Sequence, residues 1–391
     1  RAVSVFLMWT LYVMLLKLTF RFDSFVVFAL WCGIAMPLLL GIIPMPFSIL
    51  YGVIMWPLQI VVLTLLDVVE RFTPITIWSR ESNSQWSYLR MRFVCGRPYG
   101  SGTDLGFNFF DGDYSKSQMQ AQRDKFEYAW TSLGLKEGMR VLDCGCGMGD
   151  WLLWLKEVKN CHVVGLNMTE AHVLVVKRRG MHCIHTDWQR FYADKTIFAK
   201  YTGQFDCVTF WDTIEHYCKQ SELTVWSGLG KRSPPEYAET EAQENIRRNV
   251  YGVMFEMARD LLDPASGCGR VWSSTLHQTH SWRTEDWYGK LQIFIISSYY
   301  DGVYPYLHDG LSKFAHHGGF VLETEKDTTE DYRMTSVLNR DHFGWALYRP
   351  SLEAVFVSLW GIFIDPHWAV FHWDTLVKAT LLEGETSWMW H

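Results

Sequence analysis

The chain has 391 residues, 49% of them hydrophobic, enough for one large domain or two ordinary ones with an ample apolar core. A formal charge of −6 and the lack of a basic stripe argue against nucleic acid as a partner. Nine cysteines without regular spacing fit free thiols in a reducing compartment better than a disulfide framework.

In chain order, residues 1–70 read as membrane helices. Residues 25–66 carry no charged side chain, and a bilayer core takes roughly 20 helical residues. Two spans fit, 25–43 and 47–66, with Gly41, Pro44 and Pro46 supplying the break. Residues 2–20 are apolar apart from Lys17 and read as a third span or an in-plane helix. A buried core hairpin is the alternative, but a chain of this size offers it little partner surface. Arg71, Arg80, Arg90, Arg92 and Arg97 follow the last span, which places the next domain on the cytosolic or matrix side of the endoplasmic reticulum or mitochondrial inner membrane. The opening Arg1 fits a removed leader such as a mitochondrial presequence. Twenty tryptophans suit a membrane interface or an apolar cleft.

Residues 71–133 read as a connecting, substrate-side segment: mostly loop, with Gly100, Gly102 and Gly106, leading into a helix over 118–133. From Leu135 the pattern becomes regular. "GMRVLDCG" reads as a strand, "GDWLLWLKEV" as a helix, "CHVVGLNM" as a strand, "EAHVLVVKRRG" as a helix, and "HCIHTDW" and "FDCVTFW" as strands. Strands alternating with helices at this spacing predict a doubly wound, Rossmann-like α/β domain with a parallel sheet, assigned to residues 134–345. Residues 346–391 form an aromatic C-terminal segment. Its "SLEAVFVSLWGIFIDPHWAVFHW", broken by Pro366, reads as an interfacial or substrate-channel helix, with a core helix as the alternative.

The stretch "LDCGCGMGDW" sets glycine at every second position between the first strand and its helix. Gly145, Gly147 and Gly149 let the backbone approach a ligand without Cβ clashes, with a helix N-terminus behind them. Asp143 at the strand end is poorly suited to a pyrophosphate and well suited to a cationic amino group. The dinucleotide fingerprint would also want an acid about 20 residues on for the ribose, and the second strand ends instead in "GLNMTEAH". The pattern therefore favours S-adenosylmethionine over a nicotinamide cofactor. Cys144 and Cys146 lack the further clustered ligands of a metal site and read as small residues in a tight loop. His182 and His185 read as packing or surface residues.

These residues resemble the cyclopropane-fatty-acyl-phospholipid synthase group of S-adenosylmethionine-dependent methyltransferases. The resemblance is carried by "LGLKEGMRVLDCGCGMGDWLLWL", "VVGLNMTEAH", "TDW" and "FDCVTFWDTIEH", and then by "YGKLQIFIISSYYDGVYP", "GGFVLETEKDTTEDYRMTSVLNRDHF" and "VFVSLWGIFIDPHWAVFHWDTLVKAT". It is most like the membrane-anchored sphingolipid C9-methyltransferase branch. The resemblance implies a class I methyltransferase fold behind an N-terminal transmembrane hairpin. It implies cofactor contacts from Asp143, Gly145, Gly147 and Gly149, from Asn167 and Thr169, and from Asp187 with Trp188 at the adenine. It further implies that Glu215 and Tyr332 hold a bicarbonate ion serving as the base in methyl transfer to a lipid alkene. A salt-bridged carboxylate and a packing tyrosine are the plainer readings of these two.

The chain also departs from that pattern. The position before the cofactor domain where the group carries a cysteine reads "GFNFFDGDY", with Phe107 or Asn108 nearest. The His-Thr-Ile position reads Ser274, Thr275 and Leu276, with His277 or His280 nearby. A charged insertion over residues 217–249 suits a lid or a docking arm. Two functions remain in view: a methyltransferase acting on an unsaturated acyl or sphingoid membrane lipid, and a methyltransferase-fold accessory subunit of a membrane protein complex, with a homo-oligomer as a further partner state.

Overall fold

The computed structural model describes residues 107–218, 241–278, 311–335, 337–338 and 386–390. All but 337–338 fall in one compact unit, formed by residues 100–227, 231–335 and 381–391. The expected spans within residues 2–66, most of the insertion and the aromatic segment 351–373 lie outside the described residues. Among the described residues no helix is long and apolar enough to cross a membrane.

The predicted alternation is present. Helix α1 (Gln118–Ser132) starts where the Ser117 hydroxyl accepts the Gln120 N–H. Then come β1 (Arg140–Cys144), α2 (Asp150–Val158), β2 (His162–Asn167), α3 (Glu170–Arg178), β3 (His182–His185), α4 (Trp188–Ala193), a short α5 (Lys195–Phe198) and β4 (Cys207–Trp211). After the insertion, α6 (Glu241–Arg247) runs through a π-turn into α7 (Val253–Leu261). Next follow β5 (Arg270–Gln278), a short α8 (Ser312–Ala315), β6 (Lys326–Asp327) and β7 (Thr386–Trp390). Strands β1 to β5 are parallel in the order β3-β2-β1-β4-β5, and β7 lies antiparallel between β5 and β6. The order reverses between β1 and β4, and in such sheets the crevice outside the carboxyl ends at that switch point takes the ligand.

Period-two alternation sends the strand side chains to two cores. Val141, Cys207 and Trp211 join the cluster holding Phe126 and Leu133 of α1 and Trp151, Leu152 and Leu155 of α2. Leu142, Cys144, Val208 and Phe210 join the other, with Phe191 of α4 and Met254, Met257 and Leu261 of α7. Each such side chain buried contributes roughly 1.5–3 kcal/mol. Helix α1 belongs to the same compact unit as the sheet, and its apolar face covers one side of the sheet.

At the amino ends of the strands, the backbone N–H and guanidinium of Arg140 donate to Asp206, and the guanidinium also reaches Asp263 at 2.8 Å. Burial works to raise the Asp206 carboxyl, and the Arg140 hydrogen bonds outweigh it and hold it below its ordinary range.

On α3, burial pushes the His172 imidazole from 6.5 down to about 4. The unfolded chain therefore takes up a proton near its ordinary value while the native protein does not, so stability is lost as pH falls from about 6.5 toward 4, by up to about 3 kcal/mol. Urea unfolding of the His172→Leu variant should show a shallower loss across that window. A slope equal to that of the wild type would contradict the assignment.

Candidate active site

The loop after β1 is shaped by three left-handed glycines, with φ of 88° at Gly145, 52° at Gly147 and 81° at Gly149. They do different work. A Cβ on Gly145 would stand 2.3 Å from Thr213 Cγ2, and one on Gly149 would press at 3.1 Å on Val176 and Met181. A Cβ on Gly147 would meet nothing within 4 Å, so this half-buried residue is where the loop leaves room for a ligand. The loop is tied to β2 through Leu166, whose carbonyl accepts the N–H groups of Gly145 at 2.7 Å and Cys146 at 3.2 Å. Arg179 braces it from behind, donating to the Met148 carbonyl and to Asp150.

The expected cofactor residues cluster around that loop. Asp143 is buried at the end of β1, and its carboxylate accepts the Thr209 hydroxyl at 2.8 Å. Asn167 ends β2, donates to the Gly147 carbonyl at 3.2 Å and accepts the Thr169 N–H at 2.8 Å, which links the first loop to the second. Thr169 is buried at the start of α3. Asp187 caps α4 by accepting the Arg190 N–H, and Trp188 is buried against Tyr217, with ring centroids 5.1 Å apart. Cys146 is more than a small loop residue. Its sulfur lies 3.8 Å from that of Cys183 and sits where a Cβ on Gly165 would fall, at 2.6 Å. The Cys183 contact and burial hold its thiol well above the ordinary range. His182 meets the Tyr201 hydroxyl, and His185 the Met168 carbonyl, as surface groups.

The expected catalytic residues sit on the neighbouring elements. Glu215 is buried in the 3₁₀ turn Ile214–His216 after β4, and accepts the Thr275 hydroxyl of β5 at 3.0 Å. Beside it Asp212, at φ 49°, accepts a hydrogen bond from the Ser274 hydroxyl, while its own N–H donates to the Ser274 carbonyl at 3.0 Å. Tyr332, in the helical stretch 329–335, is 1% exposed and its ring lies 3.7 Å centroid to centroid from that of Phe107. Phe107, which with Asn108 lies nearest the position where the resemblance has a cysteine, thus stands against Tyr332. The same apolar cluster contains Tyr332, Phe126, Trp151, Trp211, Trp272 and Leu276, and Lys125 of α1 is buried with its Nζ 5.1 Å from the Trp211 ring centroid. Asp331 accepts the N–H groups of Phe110 and Asp111; burial outweighs these bonds and raises its carboxyl.

The sequence does not mark Thr209, Thr213, Gly165 or Gln122, and for Thr275 it gives the position but not the bond to Glu215. No local pattern marks them, since each matters through a residue 17 or more positions away or through burial. Among the described residues no cluster of His, Cys, Asp and Glu is arranged to hold a metal ion.

The glycines should separate by experiment. Gly145→Ala overlaps Thr213 and should lose about 1–3 kcal/mol beyond its backbone strain, with part regained in the Thr213→Ser background. Gly147→Ala should lose only the roughly 1–2 kcal/mol of a left-handed alanine. Equal losses in urea unfolding would refute the distinction.

Comparison with known proteins agrees with this geometry. The model of a methyltransferase-domain family matches residues 115–223. The (S)-tetrahydroprotoberberine N-methyltransferase of Eschscholzia californica is 35% identical over 83 residues, 21% of this chain and 23% of that protein. The cyclopropane mycolic acid synthase 2 of Mycobacterium leprae is 33% identical over 87 residues, 22% of this chain and 27% of that protein. The chain thus spans about a quarter of the length of these relatives. Among solved structures, the mycolic acid cyclopropane synthase CmaA1 complexed with SAH and CTAB superposes with a TM-score of 0.56 at 16% identity, covering 80% of this chain and 97% of that one. Residues 115–223 thus match a methyltransferase-domain family, and the described unit has the fold of that cyclopropane synthase.

Proposed function

We propose that the protein is a membrane-anchored methyltransferase that uses S-adenosylmethionine to add carbon to an unsaturated acyl or sphingoid chain of a membrane lipid. The observation that carries this reading is the intact glycine loop, with room at Gly147, at the same sheet edge as the buried Glu215–Thr275 pair. The residues suit the cofactor: Asp143 and the backbone of Gly145 and Gly147 would hold its amino-acid end, with Asn167, Asp187 and Trp188 toward the nucleoside. When bound, S-adenosylmethionine supplies an electrophilic methyl group on a sulfonium centre.

The chain's own residues do the rest. Glu215, held by Thr275, is positioned to take up or relay the proton that leaves the substrate carbon. The tryptophans and Phe126 form an apolar, water-excluding wall that suits a hydrocarbon chain, and aromatic faces stabilise positive charge that develops on it. Tyr332 and Glu215 would hold a bicarbonate ion if the site uses one. The uncharged run 25–66 supports lateral delivery of the lipid from a bilayer by helices on the same chain.

A second reading, an accessory subunit of a membrane protein complex, is favoured by Phe107 or Asn108 and by Ser274 at two positions where the resemblance expects cysteine and histidine. Calorimetry on the detergent-solubilised chain separates the two. Binding of S-adenosylhomocysteine that is lost in Gly147→Arg, together with transfer of labelled methyl to extracted lipids, is the expected outcome. A folded wild-type protein that binds no nucleoside and co-purifies with a large assembly would favour the subunit instead.

A further inference from the structure

Beneath the glycine loop, parallel pairing sets Gly165 of β2 beside Cys183 of β3, so these two positions face the same side of the sheet. Cys146 reaches across from the loop after β1. Its sulfur fills the place that a side chain on Gly165 would take, where a Cβ would stand 2.6 Å from it. With glycine there, the sulfurs of Cys146 and Cys183 meet at 3.8 Å. Both thiols are free, and both belong to the buried cluster that holds Leu152 of α2 and Val176 of α3.

A protonated cysteine packs as a small apolar group, but the surroundings of this pair suit a bond between the sulfurs. A disulfide holds its sulfurs at about 2.05 Å, so closure brings them about 1.8 Å nearer than they stand. Both elements can supply that movement. Cys146 lies in a loop whose next residue, Gly147, has open space beside its Cα, and β3 is the outermost of the described strands of the sheet. Cys146 is the more exposed of the two, 7% against 2% at Cys183. The Cys183 contact and burial keep its thiol protonated while the loop is closed, so reaction proceeds from transient openings of the loop.

We infer that Cys146 and Cys183 are an oxidisable dithiol, which hydrogen peroxide closes to a disulfide that disables the nucleoside site; the second half rests on the proposed use of S-adenosylmethionine. The Cys146 sulfur attacks one peroxide oxygen and the O–O bond breaks. The sulfur becomes a sulfenic acid, and the other oxygen leaves as water with the thiol proton. The Cys183 sulfur then displaces the sulfenic hydroxyl, which leaves as water with the Cys183 proton. Each sulfur gives up one electron, the peroxide is reduced to two waters, and an added dithiol reverses the bond by exchange. Closure displaces Cys146, whose N–H is bonded to the Leu166 carbonyl, and with it Gly147, whose carbonyl holds Asn167.

The test uses the full chain in detergent, treated with hydrogen peroxide while folded and then alkylated. Mass mapping of unreduced peptides should find Cys146 joined to Cys183. Calorimetry on the oxidised protein should show S-adenosylhomocysteine weakened by about tenfold or more, the equivalent of one lost hydrogen bond to a charged group, and restored by dithiothreitol. Cys183→Ala and the larger Cys183→Val each remove the partner sulfur, and whichever folds should keep its nucleoside affinity through the same treatment. A protein that stays folded and yields no joined peptide would overturn the inference, as would a joined protein of unchanged affinity. An equal loss in the Cys183 variants would also overturn it, since the damage then lies at other thiols or methionines. A reduced wild type that binds no nucleoside would overturn the proposed cofactor while the joined peptide still decides the pairing, whereas nucleoside binding without the joined peptide removes this inference alone.

Discussion

The Leu166 carbonyl accepts two hydrogen bonds, from Gly145 and Cys146, and the shape of the site depends on that pair. It forms because parallel pairing with β1 sets Cys144 beside Leu166 and ends both strands together. A loop leaving β1 in that register has one nearby acceptor for its first two N–H groups, and reaching it requires the left-handed backbone that glycine takes without strain. Gly165 completes the arrangement by leaving room for the Cys146 sulfur. Asn167, the next residue but one, then spans from the Gly147 carbonyl to the Thr169 N–H, so the two loops that border the crevice are held as one piece.

The core between α1, α2 and the sheet is built from aromatic packing. Trp151 stacks on Trp154 and meets Trp211 edge-on, and Phe126 of α1 touches all three. Such a cluster excludes water, which strengthens any hydrogen bond made inside it and raises the cost of leaving one unmade. Glu215, Thr275, Lys125, Asn108 and Gln122 are polar residues buried in the same unit.

Much of this was legible in the sequence. Strands β1 to β4 and helices α2 and α3 lie within a few residues of where the alternation predicts them, because buried parallel strands need short apolar runs and the glycines mark the turn between β1 and α2, whereas α4 and α5 were not predicted. Asp143 and Asn167 were legible for the same reason, being the polar residues at strand ends. The membership of α1 in the domain was not, since its pattern says only that it has a buried face. Strand β7 was also missed: five residues near the end of the chain become a strand only between β5 and β6.

Sequence alone determined the α/β fold class and the place of the glycine loop between β1 and α2, because these follow from local periodicity and from backbone conformations few residues can adopt. Tertiary structure decided which glycine leaves room and which only avoids Thr213, that Glu215 is held by Thr275, that Phe107 stands against Tyr332, and that the amides of Asn108 and Gln122 are buried beside α1. Each of these depends on contacts between residues far apart in the chain. Burial and distance of that kind arise only when the sheet and its covering helices close on one another.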